Sequence, residues 1–268
     1  MGKRENGYHD VRMVMQTVGI YDRLIITKIP EDEIRININL KFLPVNENNL
    51  IYKAYKLMKD EYGFSGGIDV DLNKFIPIAA GMAGGSTDAA STMFAINRLF
   101  ELGLSNEELM KQGVKIGADV PYCIMRGTAL AEGIGEKLTK LSPMPHCHIV
   151  VAKPPINVST KMVYESLDAG AITKHPDIDA IIEAINEGDV KKVAERMGNV
   201  LEDVTVPMYP VIAKIKNDMI SQGAYNAMMS GSGPTVFGIF PDEQTALKCK
   251  EYLKAQEDAR QVYITETF

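Results

Sequence analysis

The most unusual stretch of the chain runs from Pro77 to Asp88 and reads Pro-Ile-Ala-Ala-Gly-Met-Ala-Gly-Gly-Ser-Thr-Asp. Gly81, Gly84 and Gly85 let the backbone turn through positive φ and leave its N–H groups uncovered. The stretch flows into a helical pattern expected from about Ser86 to Phe100, whose unpaired N–H groups and positive dipole end favour an anion. Backbone amides arranged in this way cradle phosphate, and the hydroxyls of Ser86 and Thr87 can add ligands to phosphate or Mg2+. No Gly-Lys-Ser/Thr follows four residues after a glycine, so this is not a Walker loop, and it is not a Rossmann fingerprint either. The competing reading is a Gly/Ala-rich loop needed only for tight packing.

Two other groups of residues invite a chemical reading. Tyr8 and His9 follow Asn6-Gly7. An aromatic face beside a donor/acceptor is how a free base is read, but Asn-Gly is also a hairpin signal and Tyr8-His9 then merely begins a strand. His146 and His148 alternate on a strand and so share a face; two ligands without a third or fourth make no metal site, and none is expected.

These residues need elements to position them. Strands are expected at Val11 to Val18, at Leu24 to Ile29 and, from strict alternation, at Ile34 to Leu40. Asn48/Asn49 caps a helix whose apolar positions Leu50, Ile51, Ala54, Leu57 and Met58 follow the 3.6-residue period to Tyr62-Gly63. A short strand, Ile68 to Leu72, leads to the glycine stretch. Ser105-Asn106-Glu107-Glu108 is a capping box opening another helix, and 117–121 is read as a loop. Strands are expected at Thr128 to Glu132 and His148 to Lys153. Helices near 160–167, 177–187, 189–197 and 207–222 follow. A strand-loop-strand comes next, Ala224 to Met229, Ser230 to Pro234 and Thr235 to Phe240, then a helix opened by Asp242 and a last strand, Gln261 to Thr265. Strands and helices mix in both halves, so the class is α+β with two lobes. The Pro154-Pro155 pair marks the boundary, giving domains 1–153 and 154–268.

The composition fits this picture. The chain has 268 residues, 46% hydrophobic and 24% charged, enough for a real core. No apolar run reaches the roughly 18 residues of a spanning helix, and no signal-peptide core is visible at the start, so a cytoplasmic protein without a membrane partner is expected. The net charge of −6 argues against a nucleic-acid partner. It does not exclude a small anion held by backbone amides and a lysine or two. The three cysteines, Cys123, Cys147 and Cys249, form neither a disulfide framework nor a metal pair.

The glycine stretch resembles the phosphate loop of the GHMP kinase superfamily, Pro-x-x-x-Gly-Leu-Gly/Ala-Gly/Ser-Ser-Ser, with Met82 where Leu is usual. Gly231-Ser232-Gly233-Pro234-Thr235 looks like that superfamily's C-terminal glycine motif, and Gly117-Ala118-Asp119-Val120-Pro121 like the segment bearing its catalytic aspartate. Arg4-Glu5-Asn6-Gly7-Tyr8-His9 is similar to the Arg-x-Asp-Gly-Tyr-His segment of the 4-diphosphocytidyl-2-C-methyl-D-erythritol kinases of non-mevalonate isoprenoid synthesis. The resemblance covers essentially the whole chain. It implies a two-lobed fold: an ATP-binding N-terminal lobe of ribosomal-protein-like α+β type and a C-terminal ferredoxin-like α/β-sandwich lobe.

It further implies ATP-dependent phosphorylation of the 2-hydroxyl of the methylerythritol moiety, with ATP and Mg2+. Pro77, Ala80, Gly81, Met82, Ala83, Gly84, Gly85, Ser86 and Thr87 would hold the ATP phosphates, and Asn49, Leu50 and Lys74 match positions around adenine. Asp119 would be the proton acceptor. Tyr8, His9, Thr160, Tyr164, Gly231, Ser232 and Gly233 would bind the cytidine-diphosphate substrate. Capping for Asn49 and Thr160, a core place for Tyr164, a solvated charge for Lys74 and a helix-cap carboxylate for Asp119 are the competing structural readings. The expected assembly is a monomer or weak homodimer.

The family also begins with a strand, Ala-x-Ala-Lys-Ile/Val-Asn-Leu, upstream of Gly-Lys-Arg. Its lysine pairs with the catalytic aspartate and has no counterpart in a chain that starts at Met1-Gly2-Lys3-Arg4. The expectation from this is a weak kinase, or a catalytically impaired nucleotide-binding protein. Another GHMP enzyme of mevalonate or homoserine type is a further alternative, against which the Asn6-Gly7-Tyr8-His9 segment argues, because an acyclic substrate needs no base stack.

Overall fold

The structure, a computed structural model, describes residues 9–167, 172 and 175–268. It divides into two compact units that do not follow chain order. One comprises Met1–Gly19, Pro77–Met82 and Gly127–Phe268, the other Ile20–Ile76 and Ala83–Arg126, so the chain crosses between them four times. This differs from a single division at Pro154. The reason lies in pairing: the strand Val11–Gln16, called β1, lies antiparallel to a strand more than a hundred residues later and shares a core with helices beyond Pro154.

The second unit holds β2 (Arg23–Ile29), β3 (Ile34–Ile38), α1 (Leu50–Tyr62), β4 (Gly67–Asn73), α2 (Gly84–Leu99), α3 (Asn106–Gly113) and α4 (Val120–Met125). β4 is the central strand, antiparallel to β2 and parallel to β3. The alternation in β3 is real: Arg35 and Asn37 are exposed while Ile38 is buried. Asn49 caps α1 by accepting the N–H of Ile51 at 2.9 Å, and Gly63 closes it in the left-handed conformation at φ 61°. Only a residue without a Cβ adopts that φ freely. Ser105 and Glu108 form the reciprocal capping box of α3. Ile51, Met58, Ile68, Met93, Ile96, Leu109 and Ile124 are fully buried, each worth about 1.5–3 kcal/mol.

The first unit holds β1, β5 (Thr128–Gly133), β6 (Lys137–Lys140), β7 (His148–Lys153), α5 (Thr160–Ser166), α6 (Ile178–Glu187), α7 (Val190–Arg196), α8 (Glu202–Met208), α9 (Val211–Ser221), β8 (Asn226–Met229), β9 (Val236–Phe240), α10 (Glu243–Lys254) and β10 (Gln261–Glu266). β1, β5 and β6 form an antiparallel sheet. Val14 and Leu130 of that sheet pack with Ile178, Ile181 and Ile185 of α6. The four-stranded sheet has the order β10-β7-β9-β8, all antiparallel. Numbered within the lobe, that is 4-1-3-2, the ferredoxin-like arrangement expected for the C-terminal part. Its core gathers Val150, Ile212, Met219, Val236, Phe240 and Leu253 from strands and helices.

Three details differ from expectation. The helix read at 207–222 begins instead at Val211 as α9, and a separate helix, α8, precedes it; Pro210 between them has no N–H to donate to the carbonyl four residues back and its ring clashes with that carbonyl. β6 is too short and polar to show a period. The 117–121 stretch is only partly a loop, since Val120-Pro121 opens α4, proline being welcome in a first turn. No helix among the described residues is long and apolar enough to cross a membrane.

Candidate active site

The glycine stretch lies across one of the crossings, between Met82 and Ala83. Ala79, Gly81 and Ala83 all have positive φ, at 50°, 66° and 51°. For the two alanines this costs about 1–2 kcal/mol each, so surrounding contacts must hold the loop in shape. In the first unit those contacts come from the second glycine motif. Ser230 Oγ donates to the carbonyl of Gly81 at 2.8 Å, and a Cβ on Gly81 would lie 2.1 Å from the Ser230 carbonyl oxygen. Gly231 follows in the left-handed region at φ 55°, with the Gly81 backbone 3.5 Å from where its Cβ would be. The two loops meet backbone to backbone, which only glycine permits. Asn199 steadies the second loop, its Nδ2 donating to the carbonyls of Met229 and Gly231 at 2.9 and 2.7 Å. Pro77 and Ala80 are buried beneath the loop and Met82 is half-buried.

In the second unit, α2 starts at Gly84, two residues earlier than the sequence pattern marks. Its first intrahelical bond runs from Thr87 N–H to Ala83 at 2.9 Å, and no side chain caps it. The N–H groups of Gly84, Gly85 and Ser86 therefore have no helical partner. Gly85 is exposed, and Leu50 packs 3.3 Å from its Cβ direction. The Ser86 hydroxyl makes no hydrogen bond among the described residues. Thr87 is different: its hydroxyl donates to the Ala83 carbonyl at 3.0 Å and touches Cys123 Sγ at 3.4 Å. That hydroxyl is tied to the protein, where the sequence left it free for a ligand. Burial pushes the Cys123 thiol up to about 12, so it is chemically quiet.

Asn49 is the helix cap read from the sequence, whereas Lys74 is not a solvated charge. Both ends of the Asn49 amide are used, Oδ1 by Ile51 N–H and Nδ2 by the Pro44 carbonyl at 2.8 Å. Lys74 is 9% exposed. Its ammonium is paired with Asp22 and, at 2.8 Å, with Asp88. One ammonium cannot neutralise two buried carboxylates. Burial, opposed by Lys74 and reinforced by Asp22, raises Asp88 to about 7. Asp88 Oδ1 is buried and has no hydrogen-bond partner among the described residues. Asp22 and Asp88 are the residues that sequence reasoning missed here.

Asp119 stands at the N-terminus of α4 without capping it. Its carboxyl is raised above the usual range by burial and makes no hydrogen bond or ion pair among the described residues. A carboxylate whose pKa moves up is a better proton acceptor near neutrality.

The base-reading residues divide. Tyr8 lies outside the described residues. His9 is 8% exposed, its ring centroid is 5.5 Å from that of Tyr164, and its Nε2 is buried with no hydrogen-bond partner among the described residues. Tyr164 also packs on the core of its unit. Thr160 is exposed and shares a 2.8 Å hydrogen bond with Ser232, while Ser159 caps α5. Thr205 donates to the Ser232 carbonyl at 3.4 Å, and a Cβ on Gly233 would lie 2.6 Å from Met229 Sδ. In the first unit the structure thus brings together His9 with Tyr164, and Thr160 with Ser232. His146 and His148 share Glu266, at 3.0 and 3.3 Å, and no group of three metal-ligating side chains occurs among the described residues.

Residues 49–127 match the GHMP kinases N terminal domain, and residues 181–259 match the GHMP kinases C terminal domain. The chain is 70% identical to a 4-diphosphocytidyl-2-C-methyl-D-erythritol kinase of Lachnospira eligens, over 100% of this chain and 93% of that one. It is 52% identical to the enzyme of the same name from Lachnoclostridium phytofermentans, over 100% and 92%. Among solved structures it is similar to a 4-(cytidine 5'-diphospho)-2C-methyl-D-erythritol kinase, with a TM-score of 0.84 and 28% identity over 99% of this chain and 92% of that one. A homoserine kinase from Cytophaga hutchinsonii shares the fold, with a TM-score of 0.78 and 19% identity over 94% of this chain and 88% of that one.

Proposed function

We propose, for a chain that belongs to the GHMP kinases and within them to the 4-diphosphocytidyl-2-C-methyl-D-erythritol kinases, how its own residues divide the transfer of a phosphoryl group from ATP to the cytidine-linked erythritol. The acceptor is the 2-hydroxyl. Its oxygen attacks the γ-phosphorus, the bond from that phosphorus to the ADP oxygen breaks, and the hydroxyl proton passes to the Asp119 carboxylate. Such a transfer needs positioning and charge neutralisation more than covalent chemistry. The unpaired N–H groups of Gly84, Gly85 and Ser86 take phosphate oxygens, with Leu50 beside Gly85 on the nucleotide side. Asn49 and Lys74 act through the elements they hold.

The oxygen donors at hand, the Ser86 hydroxyl and the unpaired Asp119 carboxylate, suit a hard cation that keeps most of its ligands from phosphate and water. Ser86 is the side chain that would hold Mg2+, whose contribution is to neutralise charge on the phosphates. Along the chain, residues 1–153 carry the phosphate loop and the base, and 154–268 add Thr160, Tyr164 and Ser232 to the substrate side.

The cytidine reading rests on one observation. A buried imidazole nitrogen without a partner costs about 1–3 kcal/mol, and His9 keeps such a nitrogen next to the Tyr164 ring. A cytosine edge would satisfy it, with Tyr8 and Tyr164 as stacking faces and Thr160 and Ser232 lining the same side. Coupled ADP-release assays with the cytidine-diphosphate alcohol, homoserine and mevalonate as acceptors test the proposal. Turnover with the cytidine substrate alone is expected. Turnover with homoserine or mevalonate in its place would refute it.

A further inference from the structure

The three residues that lead into the glycine stretch, Lys74, Phe75 and Ile76, are held by side chains far away in sequence. Asn39 grips the Lys74 backbone from one side: its Oδ1 accepts the Lys74 N–H at 3.0 Å, and its Nδ2 donates to the Lys74 carbonyl at 3.4 Å. Asp22 grips the next two residues. Its Oδ1 accepts the N–H groups of Phe75 and Ile76 at 2.6 and 2.9 Å, while Oδ2 takes the Lys74 ammonium. Lys74 reaches on to Asp88 in the second turn of α2. The first residue of that helix closes the arrangement. A Cβ on Gly84 would lie 3.0 Å from Ile76 Cγ2 and 3.3 Å from Lys74 Nζ. The side chains of Asp22, Lys74 and Asp88 are no more than 6% exposed.

We infer that Asp22 is a positioning residue for ATP: through Lys74 and Asp88 it fixes the first turn of α2, where Gly84, Gly85 and Ser86 present their N–H groups. The hydrogen bonds of the Asp22 carboxylate run to the backbone N–H groups of Phe75 and Ile76 and to the Lys74 ammonium, so its action on the nucleotide is through the helix. The chemistry requires an aspartate. Three donors converge on its two oxygens, and an asparagine would turn an NH2 group towards at least one of them. The helix turn it supports is short, and phosphate binding by a helix terminus is sensitive to small displacements, since a shift of about 1 Å can cost on the order of a hundredfold in rate.

The inference rests on the reading of that first turn as the ATP phosphate site, and the test separates the two. Amide hydrogen exchange of the native chain with and without a non-hydrolysable ATP analogue examines the site itself: protection of the Gly84–Thr87 amides is expected, and its absence overturns the site reading. Asp22→Asn then examines the positioning role. The KM for ATP is expected to rise about 10- to 100-fold, while the KM for the cytidine substrate stays within about twofold, a split that a general loss of stability would not produce. Should Asp22→Asn fail to fold, Asn39→Ala takes its place, because Asn39 is exposed and grips the same segment; a smaller rise, about threefold or more, is expected in the ATP KM alone. A folded variant of either kind with an unchanged ATP KM, in a chain whose Gly84–Thr87 amides are protected by nucleotide, overturns the inference.

Discussion

Replacing Asp88 by asparagine should stabilise the protein at alkaline pH and leave it unchanged in acid. Asp22, Lys74 and Asp88 form a buried group in which two carboxylates share one ammonium. Asp88 is raised from 3.8 to about 7, chiefly by burial. Below its unfolded pKa the group is protonated in both states and contributes no difference. Between that value and about 7 the folded chain keeps a proton that the unfolded chain has released, so each step up in pH favours unfolding. Above about 7 the whole penalty is in place. At about 1.36 kcal/mol per unit the rise corresponds to a loss on the order of 4 kcal/mol across this window. Asparagine has the shape of the protonated acid, still offers Lys74 an oxygen, and does not titrate. Urea denaturation of both proteins at several pH values between about 4 and 9 measures the difference directly. Superimposable curves near pH 4 that separate towards pH 8, with the variant more stable, are expected. Parallel profiles, or a variant less stable at pH 8, would refute the account of the cluster.

Other expectations follow from the same geometry. Asp119→Asn should reduce turnover by about 10²–10⁴ with little change in either KM, the usual scale for a positioned base. In the native enzyme the acid limb of kcat/KM should lie above the ordinary carboxylate range, as burial of Asp119 requires, and the variant should lack that limb. Tyr8→Ala should weaken cytidine-nucleotide binding by about 1–3 kcal/mol in calorimetric titration and leave ATP binding alone; equal losses for both would make Tyr8 a support of the fold. Gly81→Ala must displace the Ser230 carbonyl, 2.1 Å from the new Cβ, as well as accept φ 66°, and should cost about 2–4 kcal/mol in denaturation. Gly103→Ala, at a similar φ of 69° with nothing within 4 Å, isolates the backbone term at about 1–2 kcal/mol.

Features set by neighbouring residues were legible in the sequence. Asn49 before an apolar 3.6-residue period, Gly63 after it, and Ser105 with Glu108 each satisfy backbone groups within one helical turn, and each does so in the structure. The ferredoxin-like order of the last four strands was expected only through family resemblance. Nothing in the spacing of those strands states which is central, because that is decided by which faces can bury Val150, Val236 and Phe240 together. The same limit explains α4. Six residues cannot display a helical period, and Pro121 reads as punctuation although a first helical turn welcomes it.

The glycines carry the argument furthest. From sequence, Gly81, Gly84 and Gly85 look like one device, a backbone left bare for phosphate. The structure gives them three reasons. Gly81 is bare because Ser230 already occupies the space of its Cβ, and Gly84 because Ile76 and Lys74 crowd it; at Gly85, which is exposed, a Cβ would meet only a flexible leucine. The packing reading and the phosphate reading are therefore not alternatives. Close packing at Gly81 and Gly84 fixes the loop, and the start of α2 at Gly84 leaves the amides of Gly84, Gly85 and Ser86 outside its hydrogen-bond ladder. Lys74 escaped the sequence reading for the complementary reason. Its partners, Asp22 and Asp88, stand 52 and 14 residues away, and a lysine whose neutralising carboxylates are brought by other elements is indistinguishable, in a single chain, from one bathed in water.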